Sequence, residues 1–268
     1  LETITWSFTN EKTNNVFREN KQEVKIVNPI SSDLNVLRNS LYPNLIYFLN
    51  KNIDRGFENQ SLFEIGPLFI GNKPGQQITV ICGVRKENLL DVYGIKKDVV
   101  QTLIELGIDK NETTIDINTP SYYHPGRSGS IITKKDQKLL AYFGEIHPKI
   151  INKTYGFEIF LENIVKYKSQ NKKEKLTVTF SDYQKSDRDF AFVVKQELKA
   201  QELVDIISNV DRSLIKNVKI FDVYQGENIP SDKKSIALKV TIQSDFKTLN
   251  EKDLNEISQK IISNVEEK

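Results

Sequence analysis

The feature of this sequence that most constrains its fold is a stretch of strict alternation from Ser235 to Gln243. Large aliphatic side chains fill every second position, and small or polar side chains fill the positions between them. The first set is Ile236, Leu238, Val240 and Ile242, and the second is Ala237, Lys239, Thr241 and Gln243. Successive side chains of a strand point to opposite faces, so the pattern predicts a strand with one buried and one open face.

The segments around this strand predict a small domain in the order strand, helix, strand, strand, helix. Apolar residues predict strands at Phe190–Val194 and near Val218–Tyr224, and helical spacing predicts a helix at Ala200–Val210. Thr248 and Glu251 have the spacing of a capping box and are predicted to begin the last helix. This order is a ferredoxin-like βαββα(β) fold without its final strand, and its helices are expected to leave one sheet face open.

A lysine-rich segment at residues 166–175 divides the chain. It holds five Lys and one Glu and almost nothing apolar, which is typical of a solvated linker. We expect one domain at residues 1–165 and another at residues 176–268. The second has 14 Lys and Arg against 16 Asp and Glu, a net charge of −2. It therefore offers no broad electrostatic attraction to nucleic acid.

Residues 1–165 predict an α+β domain of mainly antiparallel strands with a few flanking helices. The predicted strands are residues 3–10, 61–70, 76–85, 128–133 and 139–146, and the predicted helices are residues 43–56 and 89–107. The last two strands are separated by the polar turn KKDQK, which predicts an antiparallel hairpin.

Composition excludes several classes of protein. No stretch approaches the roughly 18 to 20 consecutive apolar residues of a membrane helix. The single cysteine, Cys82, cannot form an internal disulfide, and the N-terminus lacks the pattern of a signal peptide, so a cytoplasmic protein is expected. His124 and His147 each precede a proline and share no metal-ligand spacing with Cys82, so no metal site is predicted. The absence of Met indicates a piece of a longer polypeptide.

Six segments of the chain, taken together, combine Gly and Pro with unusual polar residues. In the first domain they are NPISSDLNVLRNSLYPNLI from Asn28, LFEIGPLF from Leu62, YYHPGRSGSI from Tyr122 and FGEIHPKI from Phe143. In the second domain they are SDRDFAFVV from Ser186 and IFDVYQGENIPSDKKSIALKVTIQ from Ile220. In this order and spacing, over nearly the whole chain, they specifically resemble one family, the C-terminal part of the bacterial phenylalanyl-tRNA synthetase beta subunit.

The resemblance implies a class II aminoacyl-tRNA synthetase-like module at residues 1–165, which does not itself catalyse, and an anticodon-binding domain at residues 176–268. It implies a heterotetramer with the alpha subunit and a tRNA for phenylalanine as partners, with no membrane and no DNA. The whole enzyme would use ATP and magnesium on the alpha subunit to charge the tRNA. Neither is expected to be bound by this fragment.

The residues agree with a non-catalytic module. Class II chemistry needs an arginine two residues before an acidic residue on a central strand, and a second arginine after a glycine-rich turn between a strand and a helix. The strand LFEIGPLF has Glu64, but Leu62 stands where that arginine is needed. No strand-to-helix junction has a glycine-rich sequence that ends in arginine, so no catalytic residue is predicted.

Two sets of residues are candidates for binding. The candidates for tRNA contact, by stacking or by charge, are Tyr183, Arg188, Phe221, Tyr224, Lys233, Lys234 and Lys239. Phe190 and Phe192 are predicted to be buried. Arg38, Glu64, Arg127 and Glu145 are candidates for a subunit interface or for the remnant of a substrate pocket.

Within the second set, Glu64, Arg127 and Glu145 are predicted to form one buried polar network that holds the hairpin. Arg38 could form an ion pair with a carboxylate of this chain or with one across a subunit interface, and the sequence favours neither.

Two other functions remain as alternatives to the tRNA ligase subunit. A synthetase paralogue that lacks the catalytic arginines could serve as a regulatory or protein-binding scaffold. An enzyme active by itself would catalyse exchange between ATP and pyrophosphate, and we expect no such exchange from this chain.

Overall fold

The computed structural model describes residues 1–17, 19, 22–170, 181–227 and 229–266. Its contacts divide the chain into two compact units, Leu1–Glu174 and Lys175–Lys268. The predicted linker begins inside a helix, because residues 166–170 belong to the last helix of the first unit. The remainder of that linker, residues 171–175, lies outside the described residues.

The first unit contains nine strands and four α-helices among its described residues. The strands are β1 (Phe8–Thr9), β2 (Val24–Lys25), β3 (Val36–Leu37), β4 (Gln60–Phe69), β5 (Gln77–Lys86), β6 (Thr113–Asp116), β7 (Tyr123–Thr133), β8 (Leu139–Ile146) and β9 (Tyr155–Phe160), and the helices are α1 (Glu11–Phe17), α2 (Tyr42–Ile53), α3 (Val92–Glu105) and α4 (Leu161–Gln170). The strand predicted at residues 3–10 is wrong in extent, since only Phe8 and Thr9 form one. Thr3 instead bonds through its N–H to the carbonyl of Phe63 at 2.8 Å, beside β4.

An antiparallel sheet of six strands, in the order β4-β5-β9-β8-β7-β6, forms the centre of the first unit. The alternation of β5 shows how both faces are covered. Val80, Cys82 and Val84 pack with α1 and α2 on one face. Ile81 packs with α3 and α4 on the other. The sheet is therefore a middle layer between two helical layers, as predicted for an α+β fold.

The second unit confirms the order strand, helix, strand, strand, helix. Its elements are β10 (Ser186–Lys195), α5 (Ala200–Val210), β11 (Ile215–Tyr224), β12 (Lys233–Ile242) and α6 (Glu251–Glu266). The sheet order is β10-β12-β11, with both pairings antiparallel. Buried side chains of α5 and α6 pack on the β12 face that carries Ile236, Leu238 and Val240. The other face carries neither helix, as the alternation of β12 predicts.

The start of α6 corrects the predicted cap. The helix begins at Glu251, and the reciprocal hydrogen bonds of a capping box are made by Asn250 and Asp253. The side chain of Asn250 accepts from the N–H of Asp253 at 2.9 Å, and the carboxylate of Asp253 accepts from the N–H of Asn250 at 3.0 Å. Thr248 lies outside this box, so the Thr248–Glu251 assignment was wrong by two residues.

We expect Asn250→Ala to lower the free energy of unfolding of the second unit by about 1 kcal/mol, because it removes an N-cap acceptor. Thr248→Ala is the matched control and should change this free energy by a few tenths of a kcal/mol at most. Urea unfolding followed by helical circular dichroism measures both. Equal losses from the two substitutions would contradict the corrected cap.

Candidate functional site

The open face of the second unit is set by the register of its three strands. Residues directly opposite each other share a face, so Val193, Ser235 and Tyr224 form one row across the sheet. Ala191, Ala237 and Asp222 form the next row. We call these two rows the apolar end of the open face. Four small side chains and the exposed carboxylate of Asp222 flank one large aromatic ring.

Two lysines border the apolar end and two carboxylates lie at the opposite end. Lys195 pairs with Lys233 beyond the row of Val193. At the other end, the Nζ of Lys239 lies 3.9 Å from the Oδ1 of Asp189. The hydroxyl of Thr241 donates to the Oδ1 of Asp187 at 2.7 Å. Among the rows described here, only the row of Lys195 and Lys233, beside the apolar end, has positive charge and no carboxylate.

Tyr224 is the aromatic side chain of the apolar end. Its ring is 47% exposed, and its hydroxyl donates to the carbonyl of Glu227 at 3.4 Å. A Cβ on Gly226 would lie 2.6 Å from that hydroxyl, so the glycine allows the ring to pack against its own turn. The ring is therefore held in place while it remains accessible to a planar ligand.

The predicted tRNA contacts do not all share this face. Lys233, Lys239 and Tyr224 lie on it, and Phe221 lies beside it in a bulge of β11, 55% exposed. Arg188 lies on the helix-covered side, where its guanidinium donates to Glu251 at 2.7 Å.

Two further candidates lie at the ends of the sheet. The Nζ of Lys234 donates to the carbonyl of Gln196 at 2.8 Å. The carbonyl of Tyr183 accepts from the side chain of Gln243 at 2.6 Å. Asp222, Ala191 and Val193 were not candidates, because only strand register places them beside Tyr224.

Phe190 and Phe192 occupy the covered side and are half-buried, so their predicted burial is confirmed in part. Both rings pack against the core of the second unit, and their centroids lie 6.1 Å apart in a stacked arrangement. They are unavailable for stacking on a base at the open face.

In the first unit, Arg38 forms an ion pair with a carboxylate of the same chain. Its guanidinium lies 2.8 Å from the Oε1 of Glu64, and the two side chains are 2% and 3% exposed. It also donates to the carbonyl of Pro67 at 3.0 Å and to the hydroxyl of Thr5 at 2.9 Å. The described structure resolves the alternatives for Arg38 in favour of an internal pair.

The predicted network of Glu64, Arg127 and Glu145 is wrong, because these residues form two separate pairs. Arg127 donates to Glu145 across β7 and β8, while Glu64 lies on β4 with Arg38. The Arg127 side chain is 48% exposed and that of Glu145 is 6% exposed. Four residues of β7, at positions 124–127, bulge out opposite Glu145, and this bulge presents Arg127 to solvent.

Tyrosine side chains fill the sheet face that α1 and α2 cover. Tyr122 donates through its hydroxyl to the buried carboxylate of Glu158 at 2.7 Å. The hydroxyls of Tyr42 and Tyr123 lie 2.5 Å apart. The ring of Phe17 in α1 covers Tyr42 and Tyr122, with centroids 5.4 and 5.3 Å away. We call these residues the tyrosine cluster.

The neighbouring positions carry none of the arginines that class II chemistry needs. Leu62 is buried in the core. At the junction of β9 and α4, Phe160 and Leu161 replace a glycine-rich turn, and Asn163 donates to the carbonyl of Leu139 at 2.8 Å. Glu64, Glu145 and Glu158, the buried carboxylates of this sheet, each bond to a side chain of the unit. These residues do not fit ATP or a magnesium ion.

We expect the tyrosine cluster to make the first unit unstable in alkali. Burial raises the pKa of Tyr42, Tyr122 and Tyr123 well above their ordinary value and raises the pKa of Tyr167 to about 12. The fold favours the neutral phenols, so their stabilisation is complete below about pH 10, the pKa of an unfolded tyrosine. It is lost as the pH rises above that value.

Phenolate absorbance, measured against pH together with circular dichroism, tests this expectation. Part of the absorbance of the 10 tyrosines should develop only as the first unit unfolds. Full ionisation of all tyrosines while the unit remains folded would contradict it.

The described residues of the two units contain neither a membrane-spanning helix nor a metal-binding group of side chains. No helix there is long and apolar enough to cross a membrane. In the same ranges, no three side chains among His, Cys, Asp and Glu are grouped so that they could hold a metal ion.

Comparisons with known proteins match both units. The model of the phenylalanyl tRNA synthetase beta chain CLM domain matches residues 1–159. The model of the ferredoxin-fold anticodon binding domain matches residues 181–268. Among solved structures, PylSc, a pyrrolysyl tRNA synthetase of Desulfitobacterium hafniense, matches with a TM-score of 0.49 and 17% identity, over 63% of this chain and 61% of that one.

Curated relatives match the chain from end to end. The phenylalanine–tRNA ligase beta subunit of Paramagnetospirillum magneticum is 36% identical over 99% of this chain and 35% of its own length. That of Rickettsia felis is 36% identical over 100% of this chain and 34% of its own length. The chain spans about a third of the length of these relatives. It belongs to the phenylalanyl-tRNA synthetase beta-chain family.

Proposed function

We propose that this chain is part of the beta subunit of a cytoplasmic phenylalanine–tRNA ligase. In this role the first unit is a scaffold for the alpha subunit, and the second unit binds the anticodon of the tRNA for phenylalanine. Activation of phenylalanine with ATP and magnesium takes place on the alpha subunit. The proposal rests on the open sheet face of the second unit, which lies within the residues that match the anticodon binding domain model.

The apolar end of the open face has the shape and chemistry that an unpaired base requires. Ala191, Ala237 and Ser235 leave room over the sheet, and the ring of Tyr224 stands beside that room. Proteins read single-stranded RNA by stacking bases on aromatic rings and by hydrogen bonds to base edges. The exposed carboxylate of Asp222, in the row of Ala191, accepts N–H groups and so favours a guanine edge, which presents two adjacent donors.

The distribution of charge along the sheet indicates where the phosphates of the RNA can bind. Lys195 and Lys233 lie beside the row of Tyr224, where they can neutralise phosphates. Lys239 lies between Asp189 and Lys219, and Asp187 occupies the next row, so the opposite end has no net positive charge to attract a phosphate. We infer that the base enters at the Tyr224 end and that Lys239 contributes little.

We expect Tyr224→Ala to weaken binding of the anticodon stem–loop by about 5- to 150-fold, which corresponds to about 1–3 kcal/mol for one stacked base. Tyr224→Phe keeps the ring and should bind within about twofold of the parent chain. Fluorescence anisotropy with a labelled stem–loop at low salt measures both affinities. Lys239→Ala is the control and should have a small effect.

Two outcomes would remove the anticodon assignment. One is equal binding of the stem–loop by Tyr224→Ala and the parent chain. The other is the absence of any preference for this stem–loop over an unrelated one, which favours the scaffold paralogue instead.

The scaffold role is supported by apolar side chains that the first unit leaves exposed near its N-terminus. Ile4 is 93% exposed and Trp6 is 57% exposed. Their segment is held in place, because Asn44 donates to the carbonyl of Trp6 at 2.8 Å and to the hydroxyl of Thr5 at 3.0 Å. Ordered aromatic side chains of this kind are typical anchors of protein interfaces.

Light scattering after size exclusion tests the scaffold role, with the chain alone and mixed with the alpha subunit. A stable mixed complex is the expected result. A chain that elutes unchanged in the presence of the alpha subunit would argue against a scaffold built from these residues alone.

A further inference from the structure

The ring of Phe17 lies in a space that two tyrosine rings enclose. Its centroid lies 5.4 Å from that of Tyr42 and 5.3 Å from that of Tyr122, and the two tyrosine centroids are 5.9 Å apart in an edge-to-face arrangement. Phe17 is 3% exposed, so its ring fills this space. We call the space between Tyr42 and Tyr122 the Phe17 site.

The lining of the Phe17 site has the chemistry of a ligand pocket. Both tyrosine hydroxyls are buried and hydrogen-bonded, that of Tyr122 to the carboxylate of Glu158 at 2.7 Å and that of Tyr42 to the hydroxyl of Tyr123 at 2.5 Å. Apolar groups of the same shape can replace both partners of a buried hydrogen bond at little cost, so a core does not require such pairs. Pockets for small ligands, in contrast, combine aromatic walls with a few polar groups that are held in place.

Phe17 belongs to a helix that few buried side chains attach to the unit. The buried residues of α1 are Asn14 and Phe17, and Val16 is 45% exposed. The side chain of Asn14 donates to that of Asn39 at 2.8 Å and accepts from the N–H of Asn39 at 3.0 Å. A helix of seven residues is not stable by itself, so the position of α1 depends chiefly on these two anchors.

The helix α1 can move without breaking a strand pair. The pairs of the central six-stranded sheet join its own strands and include no residue of α1. Local opening of such an element requires less free energy than unfolding of the whole unit. When α1 moves away, the ring of Phe17 leaves the Phe17 site and the two tyrosine rings are left to receive another ring.

We propose that the Phe17 site binds a small uncharged aromatic ligand, about the size of a phenylalanine side chain, and that Phe17 competes with this ligand from within the chain. An uncharged ring matches the space because the ring of Phe17 already fills it. The inference goes beyond the proposed function, because neither RNA nor the alpha subunit takes part in it.

Fluorine NMR of para-fluorotoluene with the whole chain tests the proposal. Phe17→Ala leaves the Phe17 site open, whereas in the parent chain only the minor state with α1 displaced can bind. A minor state populated at about 0.1–10% makes the parent chain bind about 10- to 1,000-fold more weakly than the variant. Equal affinities would overturn the proposal, and so would the absence of binding by a Phe17→Ala variant that circular dichroism shows to be folded.

A second variant is needed, because removal of a large core side chain can by itself create a cavity that binds such a ring. Asn14→Ala removes one anchor of α1 and keeps the ring of Phe17. It should raise the affinity for para-fluorotoluene by about fivefold or more, since the loss of buried hydrogen bonds shifts the opening equilibrium of α1.

Asn163→Ala is the matched control. Asn163 also donates from its side chain, to the carbonyl of Leu139 at 2.8 Å, but it belongs to α4 on the opposite face of the sheet. This substitution should leave the affinity unchanged. An equal rise in affinity from Asn14→Ala and Asn163→Ala would indicate a general loosening of the unit and would overturn the proposal.

Amide exchange in the parent chain shows whether the ligand displaces α1. The N–H of Asn14 donates to the carbonyl of Asn10 at 2.9 Å, at the start of the helix. Addition of para-fluorotoluene should speed the exchange of this N–H, because the ligand-bound state has α1 displaced. Slower exchange would mean that the ligand binds while Phe17 stays in place, which contradicts competition between them.

Discussion

Replacing Arg38 by methionine should lower the free energy of unfolding of the first unit by about 3–5 kcal/mol. The substitution leaves the carboxylate of Glu64, which is 3% exposed, without its guanidinium partner in the core. Thr5 still donates to Glu64 at 2.7 Å, but one neutral hydroxyl does not compensate a buried charge. Urea unfolding followed by the fluorescence of Trp6, the single tryptophan, reports on the first unit alone.

Arg85 provides the control, because it is an arginine of the same unit with carboxylate partners nearer the surface. Its guanidinium lies 2.9 Å from Glu87, and these two side chains are 25% and 29% exposed. Arg85→Met should cost about 1 kcal/mol or less.

A double variant separates loss of the pair from loss of packing. Arg38→Met with Glu64→Leu removes both charges and should recover part of the stability that Arg38→Met alone loses. If Arg38→Met cost no more than Arg85→Met, the buried pair would not be the structural element inferred from the contacts.

Arg38 also shows where sequence reasoning stops. The sequence identifies Arg38 and Glu64 as candidates for a buried polar role, and both side chains are buried. Their pairing depends on how the segment before α2 packs on β4, which no local pattern encodes. For the same reason Glu64 was grouped with Arg127 and Glu145, which lie on the fourth and third strands from β4 in the sheet.

Elements with a strong period were predicted well. The alternation of β12 predicted which of its side chains face the core, and the spacing of α5 predicted the first and last residues of that helix. The helices α1 and α4 were missed because their sequences, EKTNNVF and LENIVKYKSQ, are short and polar. In α4, Tyr167 is 4% exposed and packs on the sheet, so tertiary contacts hold a helix whose composition resembles a linker.

The candidate site was predicted in part. The sequence identified the open face of β12 and the aromatic Tyr224, since both follow from alternation and composition. The position of Asp222 beside Ala237 follows from a bulge of β11 between Ile220 and Asp222. That bulge changes which residues share a face, and no residue pattern in the segment indicates it.

Replacing Gly144 by alanine should destabilise the first unit by about 2–4 kcal/mol. Its backbone has φ of +153°, a conformation that residues with a side chain rarely adopt. A Cβ there would lie 2.6 Å from the Cα of Ser128 and 2.7 Å from the carbonyl oxygen of Arg127. These are backbone atoms of the paired strand, so β7 itself must move away from β8, which adds an overpacking cost of about 1–3 kcal/mol.

Gly75→Ala separates the two contributions, because Gly75 has a positive φ of +83° with no atom within 4 Å of an added Cβ. It should cost only the conformational part, about 1 kcal/mol. Unfolding followed by Trp6 fluorescence compares the two variants under identical conditions. Equal losses of unfolding free energy would mean that β7 moves away from the added Cβ without an energetic cost. The larger loss expected at Gly144 would show that β7 is fixed on β8 where the bulge presents Arg127.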